Sequence, residues 1–184
     1  LDPSGEKVAE VAHGTYLGEL SDLFTIHDVK LWDIDDPNLY TAEVTLLDEN
    51  DNALDNASVK FGARTFEFTV DHGFFLNGRR VKLNGVCNHH DLGSLGAAVN
   101  VAALRRQLRL MREMGVNSIR TSHNPPSPEL LNLCDELGFV VMDEFFDEWY
   151  IPKVANGYAK YYREHAMQDV IDVIRRYRNH ASVI

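Results

Sequence analysis

The stretch Val116-Asn117-Ser118-Ile119-Arg120-Thr121-Ser122-His123-Asn124-Pro125 decides the reading of this chain. A short apolar strand, Val116 to Thr121, ends in polar residues. Ser127 then caps a helix with Pro128 in its first turn, where Leu130, Leu131, Cys134 and Leu137 recur at helical spacing until Gly138 stops it. The same unit recurs on both sides. Upstream, Val81 to Val86 is a predicted strand and Asn100 caps a helix with Leu104, Leu108 and Met111 on one face. Arg105, Arg106, Arg109 and Arg112 are expected to face water, and Gly115 ends the helix. Downstream, Phe139 to Met142 is a third strand and His165 to Arg178 a third helix, with Ala181 to Ile184 as the entry to a fourth strand. Three strand–helix units in a row imply a parallel sheet with right-handed crossovers. No glycine-rich phosphate loop follows the first strand, so a (β/α)8 barrel fits better than a dinucleotide-binding fold.

Before residue 71 the pattern is different. Apolar runs Phe24 to Leu31, Leu39 to Leu47 and Val59 to Val70 are separated by turn signals at Asp33 to Asn38 and Asp48 to Asn52. Short strands divided in this way read as part of a β-sandwich. With about 70 residues, against roughly 100 in an Ig-like domain, its first strands are expected to be missing. The expected architecture is therefore a partial Ig-like sandwich over residues 1–70, then the first three βα units of a barrel over residues 71–184.

Composition narrows the function. Of the 184 residues, 45% are apolar and 25% charged, which suits a packed domain and not a disordered one. The net charge of −10, with no basic stripe, disfavours nucleic acid as a partner. No apolar run approaches the ~18 residues of a membrane span. The beginning, Leu1-Asp2-Pro3, is neither an initiator methionine nor a signal peptide. Cys87 and Cys134 read as two buried free thiols that leave the compartment open.

Polar residues gather where the three strands end: Asn88, His89, His90 and Asp91 after the first, Arg120, Ser122, His123 and Asn124 after the second, and Asp143, Glu144, Asp147, Glu148 and Trp149 after the third. In parallel barrels the strand C-termini form the active-site mouth. His89 and His90 are adjacent and point opposite ways on an extended backbone, so one of them faces the ligand. Arg120 needs a carboxylate partner if buried. Trp149 is either core or a platform for a sugar ring. His13, His27, His72, His165 and His180 show no convergent partners. Three functions are open to such a mouth: the glycosidase that a family resemblance implies, a metal-dependent hydrolase using His89, His123, Asp143 and Glu144, or a non-catalytic carbohydrate-binding or interaction module. Against the second, metal-binding barrels set two first-strand histidines one residue apart, unlike His89-His90.

Taken in order, several segments resemble glycoside hydrolase family 2. They are Leu31-Trp32 with Pro37-Asn38-Leu39-Tyr40, Phe61-Gly62-Ala63-Arg64, Gly73 to Gly78 with Lys82 to Val86, Asn117 to Pro125, Leu133-Cys134-Asp135 through Gly138 to Val141-Met142-Asp143-Glu144, and Arg178-Asn179-His180-Ala181-Ser182-Val183-Ile184. The resemblance implies a retaining exo-acting β-glycosidase, most similar to bacterial β-galactosidases, taking a carbohydrate substrate. A homo-oligomer of the full-length enzyme and a periplasmic or cytoplasmic location are both compatible with it. By resemblance, Arg120 orients the nucleophilic carboxylate, while His89 and His123 contact sugar hydroxyls. Asp91, Asn124, Asp143, Glu144, Glu148 and Trp149 complete the substrate-binding set. The acid/base and nucleophile are expected beyond Ile184, so the fragment alone should be inactive. No cofactor is required. Glu148 falls where some members place a carboxylate near magnesium, yet Tyr150 stands where those members carry a histidine ligand, and Cys87-Asn88 replaces the usual Asn-Arg.

Overall fold

The computed structural model describes residues 1–14, 18, 20–23 and 25–184. Among the described residues the chain forms three small sheets and three α-helices. Strands β1 (Tyr40–Leu47) and β2 (Ala53–Phe61) make an antiparallel hairpin. Its turn is built by Asp48, whose carboxylate accepts bonds from the Asn50 and Asn52 amides at 2.8 Å each. Strands β3 (Phe66–Thr69), β4 (Gly73–Leu76) and β5 (Arg79–Arg80) form an antiparallel meander. Asn77 and Gly78 join β4 to β5 with φ of 51° and 74°, the left-handed pair that a two-residue hairpin turn requires. Strands β6 (Gly85–His89), β7 (Ser118–Ser122) and β8 (Val140–Met142) then form one parallel sheet in the order β6-β7-β8.

Helix α1 (Val101–Glu113) connects β6 to β7, α2 (Pro128–Leu137) connects β7 to β8, and α3 (Tyr162–Tyr177) follows β8. The Asn100 side chain caps α1 by accepting from the Ala103 amide. Ser127 caps α2 in the same way through Leu130, and Gly138 ends α2 at a φ of 73°. Leu104, Leu108, Leu131, Cys134, Ile119, Phe139, Val141 and Tyr177 form the core between this sheet and its helices. The last residues join the sheet edge. Val183 bridges Val141 in parallel, with Val141 N–H donating to the Ser182 carbonyl at 2.8 Å.

A second core welds the N-terminal part to the strand N-termini, the end opposite the loops that follow the strands. It contains Trp32, Ile34, Phe74, Leu76, Val81, Val140 and Ala181. The Trp32 indole donates to the Asp135 carbonyl at 2.8 Å. Arg64 donates to the carbonyls of Ala181 and Val183. Gly62 passes so close that a Cβ there would lie 2.7 Å from Ala181 Cβ and 2.8 Å from Trp32 Cβ.

Several sequence expectations shift. In the run Phe24 to Leu31, Phe24 lies outside the described residues and 25–31 hold a turn at His27-Asp28 but no strand. The run Val59 to Val70 is not one strand. The backbone leaves β2 at Gly62 to fit against Trp32 and re-enters at β3. The barrel strand begins at Gly85 instead of Val81, because Val81 and Leu83 pack into the second core below the sheet. Helix α3 begins three residues early, at Tyr162. Arg105 and Arg112 are not simply solvated. Arg105 grips both Glu136 oxygens at 2.6 and 2.7 Å, and Arg112 lies over the Phe139 ring at 4.5 Å. Cys87 is exposed, and only Cys134 is buried. His180 does have a partner, the buried Asp135 carboxylate at 2.6 Å, which also accepts from the Ser182 amide at 2.8 Å. His13 pairs with Asp22 at 2.8 Å.

Candidate active site

The C-terminal ends of β6, β7 and β8 bring one polar network together. Arg120, on β7, donates to Glu144 Oε1 at 2.8 Å. The other Glu144 oxygen lies 3.0 Å from His123 Nδ1. A carboxylate so placed selects the tautomer protonated at Nδ1, and leaves Nε2 as the edge that can accept from a hydroxyl. The His89 ring stands edge-on to His123 with centroids 5.3 Å apart. The peptide between Ser122 and His123 is cis. Register explains the convergence: Cys87 pairs with Arg120, His89 with Ser122, and Arg120 with Met142, so the strand ends lie level.

Two members of the network have no clear sequence signal of their own. Thr121 is buried, accepts from the Glu144 amide at 2.9 Å and faces Asp143 Oδ1 at 3.3 Å, so it sets the start of the loop after β8. Cys87 accepts from Arg120 Nη1 at 3.4 Å, and that bond holds its thiol below the usual range. Only strand alternation, which puts Cys87 level with Arg120, could have pointed to it. Asp143 is half-buried, and desolvation pushes its carboxyl up to about 6 despite the Thr121 bond.

The remaining expected site residues lie apart from this network. Asp91 accepts from the Gly93 amide at 2.6 Å, and His90 Nε2 meets the Ala97 carbonyl at 3.0 Å, so both shape the loop after β6. Asn124 donates to the Pro125 carbonyl at 2.9 Å. Together with Asn88, His89 and Ser122 they line a small pocket beside the cluster. Asp147 is exposed and paired with Lys153 at 2.8 Å, which holds its carboxyl low, with smaller pulls from His123 and His89. Trp149 stays 59% exposed, leaning on Tyr162 at 5.6 Å.

Glu148 turns away from the mouth. It is 3% exposed, and its carboxylate accepts from the amides of Lys153, Val154 and Ala159 at 3.0, 3.0 and 3.1 Å. Tyr150 packs its ring on Tyr162 at 4.6 Å. A carboxylate already engaged by three backbone N–H donors, with a tyrosine two residues on in place of a histidine ligand, does not fit a magnesium ion. Among the described residues no trio of His, Cys, Asp or Glu is arranged to hold a metal, so His89, His123, Asp143 and Glu144 do not form a ligand set.

The model for the family 2 glycosyl hydrolase TIM barrel domain matches residues 68–184, and the general family 2 model matches residues 1–64. The chain belongs to glycosyl hydrolase family 2. It is 54% identical over 159 residues to the β-galactosidase BoGH2A of Bacteroides ovatus, covering 86% of this chain and 19% of that protein. Among solved structures, a β-glycosidase from Bacteroides vulgatus superposes with a TM-score of 0.82 at 45% identity, covering 86% of this chain and 20% of the other. Bacteroides uniformis β-glucuronidase 3 superposes at 0.81 with 32% identity, over 100% of this chain and 22% of the other. The chain thus spans about a fifth of the length of the relatives it matches. Its N-terminal part and the start of the TIM barrel domain are those of the family.

Proposed function

We propose that this chain is the first part of the barrel mouth of a retaining β-glycosidase that removes terminal β-linked galactose. On this reading residues 1–70 belong to an Ig-like sandwich and 71–184 to the first three βα units of the barrel. The observation that carries the reading is the Arg120–Glu144–His123 network with His89 beside it, at three adjacent strand ends. His89 and His123 would bond sugar hydroxyls, with Glu144 fixing the tautomer of His123. Arg120 would neutralise Glu144 and help to orient a carboxylate across the mouth. Asp91 and Asn124 shape its edge, and Trp149 offers an exposed ring to a sugar face.

Retaining hydrolysis needs two carboxyl groups about 5–5.5 Å apart. One protonates the glycosidic oxygen as its bond to the anomeric carbon breaks. The other attacks that carbon, and water then releases the sugar. Asp143, Glu144 and Asp147 all leave the end of β8, and Glu144 is committed to Arg120 and His123. Such a set cannot flank a bond from opposite faces, so the 184-residue chain alone is expected to be inactive.

The relatives include both β-galactosidases and β-glucuronidases. Charge favours the first. A uronate would meet Asp143, Glu144 and Asp147, while Arg120 and Lys153 are already paired. The test is nitrophenol release by the full-length protein from a β-galactoside and from a β-glucuronide, with the 184-residue chain assayed alongside. Galactoside turnover by the full-length protein alone supports the reading. A preference for the glucuronide would overturn the sugar assignment, and comparable turnover by the short chain would overturn the residue roles.

A further inference from the structure

The loop between β8 and α3 is the longest irregular segment at the mouth; Phe146, buried and stacked on Tyr158 at 4.9 Å, anchors its start, but the stretch that follows is held far less by its side chains. Trp149, Tyr150, Ile151 and Val154 are all exposed. A segment with so few buried contacts should open easily. Besides Phe146, a second buried side chain opposes that. Glu148 binds the amides of Lys153, Val154 and Ala159, three charge-assisted bonds that span the loop from its start to its end. Gly157 completes the fit, since a Cβ there would lie 1.9 Å from Glu148 Oε2. The pinned loop carries groups that matter for the mouth. Lys153, fixed at its backbone by Glu148, reaches Asp147 at 2.8 Å. That ion pair is exposed on both sides and would be weak alone. Holding the lysine backbone in place removes much of the ordering cost of the pair.

We propose that Glu148 is a positioning residue whose carboxylate, in place of a metal ion, ties the loop down and so presents Trp149 and the Asp147–Lys153 pair beside the sugar-binding histidines. This deepens the β-galactosidase reading and rests on it. Glu148 touches no substrate; it acts through the loop it holds. The corresponding acidic position, which the family resemblance associates with magnesium, is here turned inward and bonded to three backbone donors.

The test uses the full-length protein with Glu148→Gln and, as a second route to the same lesion, Gly157→Ala. Amide hydrogen exchange at Lys153, Val154 and Ala159 reads the tie without substrate. Both variants should lose protection there, while α1 and α2 keep theirs. With nitrophenyl β-galactoside, KM should rise roughly tenfold and kcat should stay within about threefold. Adding Trp149→Ala to Glu148→Gln should raise KM no further, because both changes remove one arrangement. Neither EDTA nor added magnesium should change wild-type KM. Unchanged exchange and KM in both variants would overturn the proposal, as would a fully additive Trp149→Ala effect. EDTA reproducing the Glu148→Gln phenotype would make Glu148 a metal ligand. A wild-type protein without glycosidase activity would overturn the functional reading, while exchange still judges the tie.

Discussion

Asp143 gives the sharpest test of the electrostatics at the mouth. Burial raises its carboxyl from 3.8 to about 6, against the opposing bonds from Thr121 and the Glu144 amide. Below pH ~4 the group is protonated in both folded and unfolded chains and contributes no difference. Between pH ~4 and ~6 the unfolded chain loses the proton while the folded chain keeps it, so stability falls as pH rises, and above ~6 the whole penalty stands. The gap between 3.8 and about 6 corresponds to an upper bound of ~3 kcal/mol. Asp143 is only half-buried, so water screens part of this, and about 1–2 kcal/mol is expected. Asp143→Asn removes the charge but keeps an oxygen for Thr121. Thermal unfolding of the full-length wild type and variant should therefore diverge with pH. From pH 4 to pH 7 the variant should gain on wild type, by at most about 2–4 °C per kcal/mol, the figure for a unit of roughly 150–250 residues, and by less in a protein about five times this chain's length. A constant difference across that range, or a gain on the acid side, would refute the assignment of burial as the cause.

Arg120→Ala should lower kcat by roughly tenfold or more and raise KM less, since the charge it balances counts most in the transition state; steady-state kinetics at saturating galactoside check this. Gly62→Ala would push a methyl into Trp32 and Ala181 and should destabilise the junction by about 1–3 kcal/mol, seen as faster proteolysis within residues 62–84. Iodoacetamide should label Cys87, exposed and lowered by Arg120, and spare Cys134, whose thiol burial pushes up; peptide mass mapping reads both.

The barrel half of the fold was legible because its caps and periodicity agree. Asn100, Ser127 and Gly138 mark helix ends in sequence and perform those roles in space. The N-terminal half was harder to read. Trp32, Gly62 and Arg64 look like sandwich residues by pattern, yet they spend their contacts on the barrel, a long-range packing that periodicity cannot encode. Val81 misled for the same reason, since an apolar run carries no sign of which core it enters. At the site, strand ends located Arg120, His123, His89 and Glu144 but said nothing of side-chain direction. Glu148 shows the cost: it sits in a row of mouth carboxylates and binds its own loop. His180 likewise finds Asp135, 45 residues away, through tertiary packing alone.

The most direct measurement is a crystal structure of the full-length protein trapped with a 2-deoxy-2-fluoro-β-galactoside. The galactosyl group is expected within hydrogen-bond distance of His89 and His123, with the Arg120–Glu144 bond retained beside it and no metal on Glu148. A trapped sugar that leaves those histidines untouched, or a cation coordinated by a rotated Glu148, would contradict it.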